Sequence, residues 1–136
     1  MPTCGDILDI DLTAGASERR PFDEAAARFV LGGRGLDVLE LWRRTDTDPL
    51  SPSNPLILAA GLLTGSGAPS ASRVQVTARS PLTGLLASSN IGGGVGFAMR
   101  SAGISALVLH GRAPHFSSVT FLKSIIHSHT VSGLPV

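Results

Sequence analysis

Residues 61–96 read GLLTGSGAPSASRVQVTARSPLTGLLASSNIGGGVG, and the fold turns on how this stretch is read. It holds eight glycines and two arginines, Arg73 and Arg79, and no acidic residue. Residues 73–78 alternate Val74 and Val76 against Arg73, Gln75 and Thr77, the period of a strand. Ser80-Pro81-Leu82-Thr83-Gly84 is a turn, and the glycines after Asn90 lead into a short helix over 97–101 closed by Gly103. Glycine-rich turns expose backbone N–H groups and arginine supplies a fixed positive fork, so the pattern suits the grip of a phosphate.

The same punctuation continues outward. Residues 5–12 place Leu8, Ile10 and Leu12 on one face of a half-buried strand. A turn at 13–17 leads to a polar strand over 18–22. Asp23 is an N-cap for a helix over 24–30 that Gly32-Gly33 ends. A second helix over 36–44 turns Val38, Leu41 and Trp42 inward, with Arg43 and Arg44 favouring its C-terminal dipole. On that helix Asp37 and Glu40 read as solvated surface. Three prolines make residues 48–55 a loop. Residues 56–60 and 106–110 are apolar strands, and residues 115–136, rich in Ser and His, receive no assigned structure.

Charge is divided along the chain. The first 48 residues carry six arginines against ten Asp and Glu, a net of −4, and the remaining 88 carry five basic residues and no acid. At 136 residues the chain is at most one domain, and its 43% hydrophobic and 15% charged content is globular. With one Trp, five Phe and no Tyr, it lacks the stacking rings of a nucleic-acid platform. The lone Cys4 excludes an internal disulfide framework and a CxxC metal site, and makes the cytoplasm the expected compartment. The N-terminus has no basic region followed by an apolar run and is not read as a signal peptide. No window reads as a membrane helix.

The individual motifs carry different weight. GxGxxG fails, because its third position falls on Phe97 or Met99 and no acid follows to hold a ribose. The Walker A lysine is missing as well. Arg73 at a glycine-rich strand entrance is either a phosphate clamp, each such bond contributing about 1.5–3 kcal/mol, or a solvated edge residue. Asn90 offers a side chain or a carbonyl to a ligand, or simply fills a turn. The glycines likewise either cradle a ligand or permit a sharp turn. His127 and His129 alternate as a metal pair would, without supporting carboxylates. Ser88 and Ser89 have no partner base, so nucleophilic catalysis is unsupported.

A succession of strings then identifies a family. These are GDILDIDLTAG near the start, FVLGGRGL at 29–36, residues 48–73, TARSPLTG at 77–84, SSNIGGGVGFAMRSAG at 88–103 and ALVLHGRA at 106–113. Together they resemble the N-terminal domain of the tungsten-dependent aldehyde ferredoxin oxidoreductases over about residues 5–113. Leu62 departs from the proline usual before LTG and affects loop stiffness. The resemblance implies an α+β fold, a β-rich partial domain with short helices on which a bis-pterin tungsten or molybdenum cofactor sits. It implies that Arg73 contacts pterin phosphate, that the Asn90 carbonyl helps hold a Mg2+ bridging the phosphates, and that Gly92 and Gly93 present backbone to the pterin. It also implies an oxidoreductase that converts aldehydes to carboxylic acids with ferredoxin as acceptor. The 4Fe-4S cysteines and the acid–base residues of the family lie in later domains, so no catalytic residue is assigned and this chain alone is expected to be inactive. The alternative is a binding module for a phosphate-bearing cofactor, alone or in a split enzyme.

The expected division is a partial domain over 1–114 and a divergent tail over 115–136, read out of the original frame. Translating the downstream DNA in three frames tests this, and the absence of any pterin-binding or cysteine-rich continuation would show it wrong. Unpartnered strand edges imply self-association or a complementary chain.

Overall fold

The computed structural model describes residues 4–44, 48–115, 117–122 and 125–130. Eight strands and three helices follow in the order β1 (Asp6–Asp11), β2 (Ala16–Pro21), α1 (Glu24–Val30), α2 (Arg34–Trp42), β3 (Leu56–Ala60), β4 (Val74–Arg79), β5 (Leu86–Ile91), α3 (Val95–Ser101), β6 (Ile104–His110), β7 (Ser117–Leu122) and β8 (Ile125–Thr130). Six form one sheet in the order β2-β1-β6-β3-β4-β5. Only β1 and β6 run parallel; the other neighbours are antiparallel. β7 and β8 form a separate hairpin, placed on residues to which the sequence assigned no structure. The class is α+β, as expected.

Both faces of the sheet are covered. Ile7, Ile57, Ala59, Ala106 and Val108 point to one face, where Ala27 of α1 and Leu36 and Leu41 of α2 close over them. Leu8, Ile10, Val74 and Leu107 point to the other, against Met99 of α3, with Val119 of β7 packed at the margin. Each fully buried aliphatic side chain contributes about 1.5–3 kcal/mol. The strand read over residues 73–78 is β4, and its two faces are both covered: Gln75 and Thr77, which alternate with the valines, are buried beneath α2.

Asp23 caps α1 as expected, its carboxylate accepting from the Ala25 and Ala26 amides, both at 3.2 Å. Leu31, left-handed at φ 56, ends the helix, and its N–H donates to the Ala27 carbonyl at 2.9 Å. Gly32 bridges to Gly61, and the glycine after it serves α2. Gly33 is its N-cap, so the helix starts at Arg34, two residues earlier than expected.

The inward face of α2 also differs from the expected one. Leu36, Asp37, Glu40 and Leu41 are buried, whereas Trp42 is 74% exposed and Val38 lies at the surface. Glu40 is enclosed by arginines: Arg20 of β2 binds Oε2, Arg43 binds Oε1 at 3.0 Å and Arg44 reaches Oε2 at 3.2 Å. Arg44 also pairs with Asp9 of β1, whose Oδ1 lies 2.9 Å from His110 Nε2. A buried carboxylate needs such partners, and for Glu40 the strand β2 and the end of α2 supply them.

Candidate functional site

The β4–β5 hairpin brings the predicted site residues to one end. Its register pairs Gln75 with Asn90 and Val74 with Ile91. The pairing ends at Val74 and Ile91, so Arg73 and Gly92 are the residues that flank this last pair, with Gly93 next. Directly opposed residues share a face of an antiparallel pair, so Gln75 and Asn90 lie on the same side. The sequence did not assign β5 to a strand, because all six of its residues are exposed and show no apolar alternation. Asn90 therefore sits in an edge strand rather than a turn.

This end is held from both faces. On one, α3 begins just after the glycines and packs closely. A Cβ on Gly96 would lie 2.8 Å from Thr64 Cγ2 and 2.9 Å from the Ser72 carbonyl oxygen. Thr64 Oγ1 also reaches the Arg73 carbonyl at 3.4 Å. On the other face, Thr77 Oγ1 donates to Asp37 Oδ2 at 2.8 Å. At the far end of the hairpin, Asn54 donates to the Arg79 carbonyl at 2.9 Å, and Arg79 Nε donates to Gly84 at 2.8 Å.

Three arginines of the acid-free part thus have different surroundings. Arg79 and Arg100 are engaged within the fold, Arg100 through a 2.7 Å bond to Ser105 Oγ. The exposed guanidinium of Arg73 makes no bond to any described residue. In front of it, a Cβ on Gly92, Gly93 or Gly94 would meet no atom within 4 Å, and Gly93 has φ 84, a conformation that favours glycine. The space admits a ligand, and the chemistry is a cationic fork beside open backbone. The nearest acid on the supporting helix, Asp37, has its pKa pushed up to about 7 by burial, against the opposing pull of Thr77. Little negative charge therefore stands behind the cradle below neutral pH.

The site is an open surface. Two concavities lie elsewhere: one of about 340 Å³ between Thr64–Ser66 and α3, and one of about 200 Å³ between α2 and the Leu85–Leu86 segment. Among the described residues no group of three or more His, Cys, Asp or Glu is placed to hold a metal. Ser88 and Ser89 lie exposed on β5 without a described side-chain partner. His127 and His129 fall on β8, opposite Thr120 and Ser118, and their side chains lie outside the described residues. Among the described residues no helix is long and apolar enough to cross a membrane. Sequence reasoning missed Asp37, Gln75 and Glu40, and nothing local in the sequence marks them as buried.

This architecture is that of a known family of N-terminal domains. Residues 7–129 match the family described as aldehyde ferredoxin oxidoreductase, N-terminal domain, and the chain belongs to it. The matched interval includes most of the β7–β8 hairpin. The chain is similar to the tungsten-containing aldehyde ferredoxin oxidoreductase of Pyrococcus abyssi, with 42% identity over 113 residues, 82% of this chain and 19% of the relative. Its counterpart in Pyrococcus furiosus is 41% identical over 111 residues, 80% of this chain and 18% of the relative. Among solved structures, the active site complex BamBC of benzoyl coenzyme A reductase with 1,5 dienoyl-CoA superimposes with a TM-score of 0.90 at 33% identity. That match covers 95% of this chain and 20% of the other. The chain thus spans about a fifth of the length of these relatives.

Proposed function

We propose that this chain is the phosphate-holding part of a pterin cofactor base in a tungsten- or molybdenum-dependent oxidoreductase. The observation that carries the reading is that Arg73, without a partner among the described residues, stands with Asn90, Gly92 and Gly93 at one end of an acid-free hairpin. The tungsten in the names of the relatives supports the choice of cofactor. Arg73 would bind a pterin phosphate through its guanidinium, and Gly92 and Gly93 would admit the ring system against the backbone. The Asn90 carbonyl would serve a Mg2+ between phosphates, a hard oxygen donor for a hard cation. When bound, the cofactor supplies the redox chemistry that turns an aldehyde and water into a carboxylic acid, with electrons passed to ferredoxin.

This chain's own residues bind and orient in that scheme. Its only cysteine is Cys4, so a 4Fe-4S cluster would depend on cysteines from elsewhere. A second reading, a binding module in a split enzyme, is favoured by the exposed edge of β5 and the apolar groove of Trp42, Leu85 and Leu86. Metal and pterin analysis of protein from tungstate-supplied cells tests both readings. Tungsten or molybdenum with pterin is the expected result, and folded protein free of both refutes cofactor binding. Activity restored only on adding a second chain would select the module.

A further inference from the structure

The polar contact behind the cradle is incomplete in a specific way. Asp37 is fully buried, and only one of its oxygens is satisfied: Thr77 donates to Oδ2, whereas Oδ1 meets no donor. Gln75, two residues from Thr77 on the same face of β4, is 6% exposed, and its Nε2 meets no acceptor. One buried acceptor and one buried donor thus stay unmade under the same helix, each a costly vacancy. Gln75 is the residue directly across from Asn90 in the register.

We propose that Asp37 is a positioning residue for the cradle, acting on β4 through Thr77 and Gln75 and so setting where the hairpin holds Arg73 and Asn90. The inference rests on the cradle reading above. The neutral acid suits the site as it stands, because among the described residues no ion pair to Asp37 is formed. β3 has no ionisable side chain, and on α1 the exposed Glu24 and Arg28 pair with each other at 3.6 Å. Arg79 of β4 donates to Gly84, Arg34 of α2 is exposed, and Glu40 is taken by Arg20, Arg43 and Arg44. Loss of the proton leaves a bare anionic oxygen, and the unmade donor on that face is Gln75 Nε2. Ionisation draws that amide toward Oδ1 and shifts β4 at the rung it shares with Asn90. The proton itself passes to solvent, and no bond other than O–H is broken.

Proton–nitrogen NMR spectra of the whole chain from pH 5 to 9, with the Asp37 carboxyl followed by carbon-13, test this. In the wild type, the Asp37 carboxyl and the amides of Asn90, Gly92 and Gly93 should share a titration midpoint of about 7. Asp37→Asn should abolish that step at the three amides. Gln75→Met, close in volume and uncharged, should keep Asp37 titrating at a higher midpoint and silence Asn90. It also preserves the test should Asp37→Asn fail to fold. Amides at 90, 92 and 93 that do not titrate, or that titrate alike in wild type and Asp37→Asn, overturn the proposal. Inorganic phosphate added at fixed pH and matched ionic strength probes the cradle separately. Shifts at Arg73 and Gly93 support it, and their absence refutes the cradle whatever the pH series shows.

Discussion

Arginine is used in two opposite ways in this molecule. At the C-terminal end of α2, Arg20, Arg43 and Arg44 converge on one buried carboxylate, Glu40, and Arg44 reaches on to Asp9. At the β4–β5 hairpin, Arg73 stands exposed and, among the described residues, unpaired, in the part of the chain after Asp48 that holds no acid. The first cluster is closed: its charges are answered within the fold and tie β1, β2 and α2 together. The second is open, and its charge awaits an anion from outside. Charge balance thus separates scaffold from site more clearly than glycine content does, because Gly96 is a packing residue and Gly93 borders open space.

If that contrast holds, the closed cluster should matter most for stability. Glu40→Ala would strand three arginines around an empty position, and we expect a loss of about 3 kcal/mol in urea denaturation. A loss below about 0.5 kcal/mol would mean that the cluster is only surface decoration.

Gly96→Ala forces a Cβ against the Ser72 carbonyl and Val74. We expect about 1–3 kcal/mol of destabilisation by the same measurement. An unchanged unfolding midpoint would show that α3 is not packed closely behind the cradle.

Asp37 gives a smaller, pH-dependent effect. Its folded pKa of about 7 lies above the ordinary value of 3.8. Its contribution to stability is therefore full below about pH 4 and is lost as pH rises through 7. The melting temperature should fall between pH 5 and 8 in the wild type, and Asp37→Asn should flatten that part of the curve. Parallel curves for the two proteins would place Asp37 in solvent.

What the sequence made legible follows the range of the interactions. The Asp23 cap, α1 over Glu24–Val30 and β3 over Leu56–Ala60 were read correctly because their signals lie within a few residues. The face of α2 was misread because the partners of its buried acids are remote. Asp37 meets Thr77, 40 positions away, and Glu40 meets Arg20, 20 positions away. β5 was invisible because an exposed edge strand needs no apolar alternation, only pairing with β4. The candidate site lay between these cases. Arg73, Asn90, Gly92 and Gly93 were singled out from composition and family strings, whereas their meeting at one hairpin end depends on a register that no local pattern encodes.

The smallest effect on stability belongs to Arg73, and it carries the largest consequence for the proposed role. Because its guanidinium touches nothing described, Arg73→Ala should change stability by less than about 0.5 kcal/mol. The decisive measurement is the pterin and tungsten content of wild-type and Arg73→Ala protein, purified side by side from tungstate-supplied cells with matched melting temperatures. Cofactor present in the wild type and lost in the variant is the predicted result. Equal cofactor content in the two would contradict the assignment of Arg73 as the phosphate anchor.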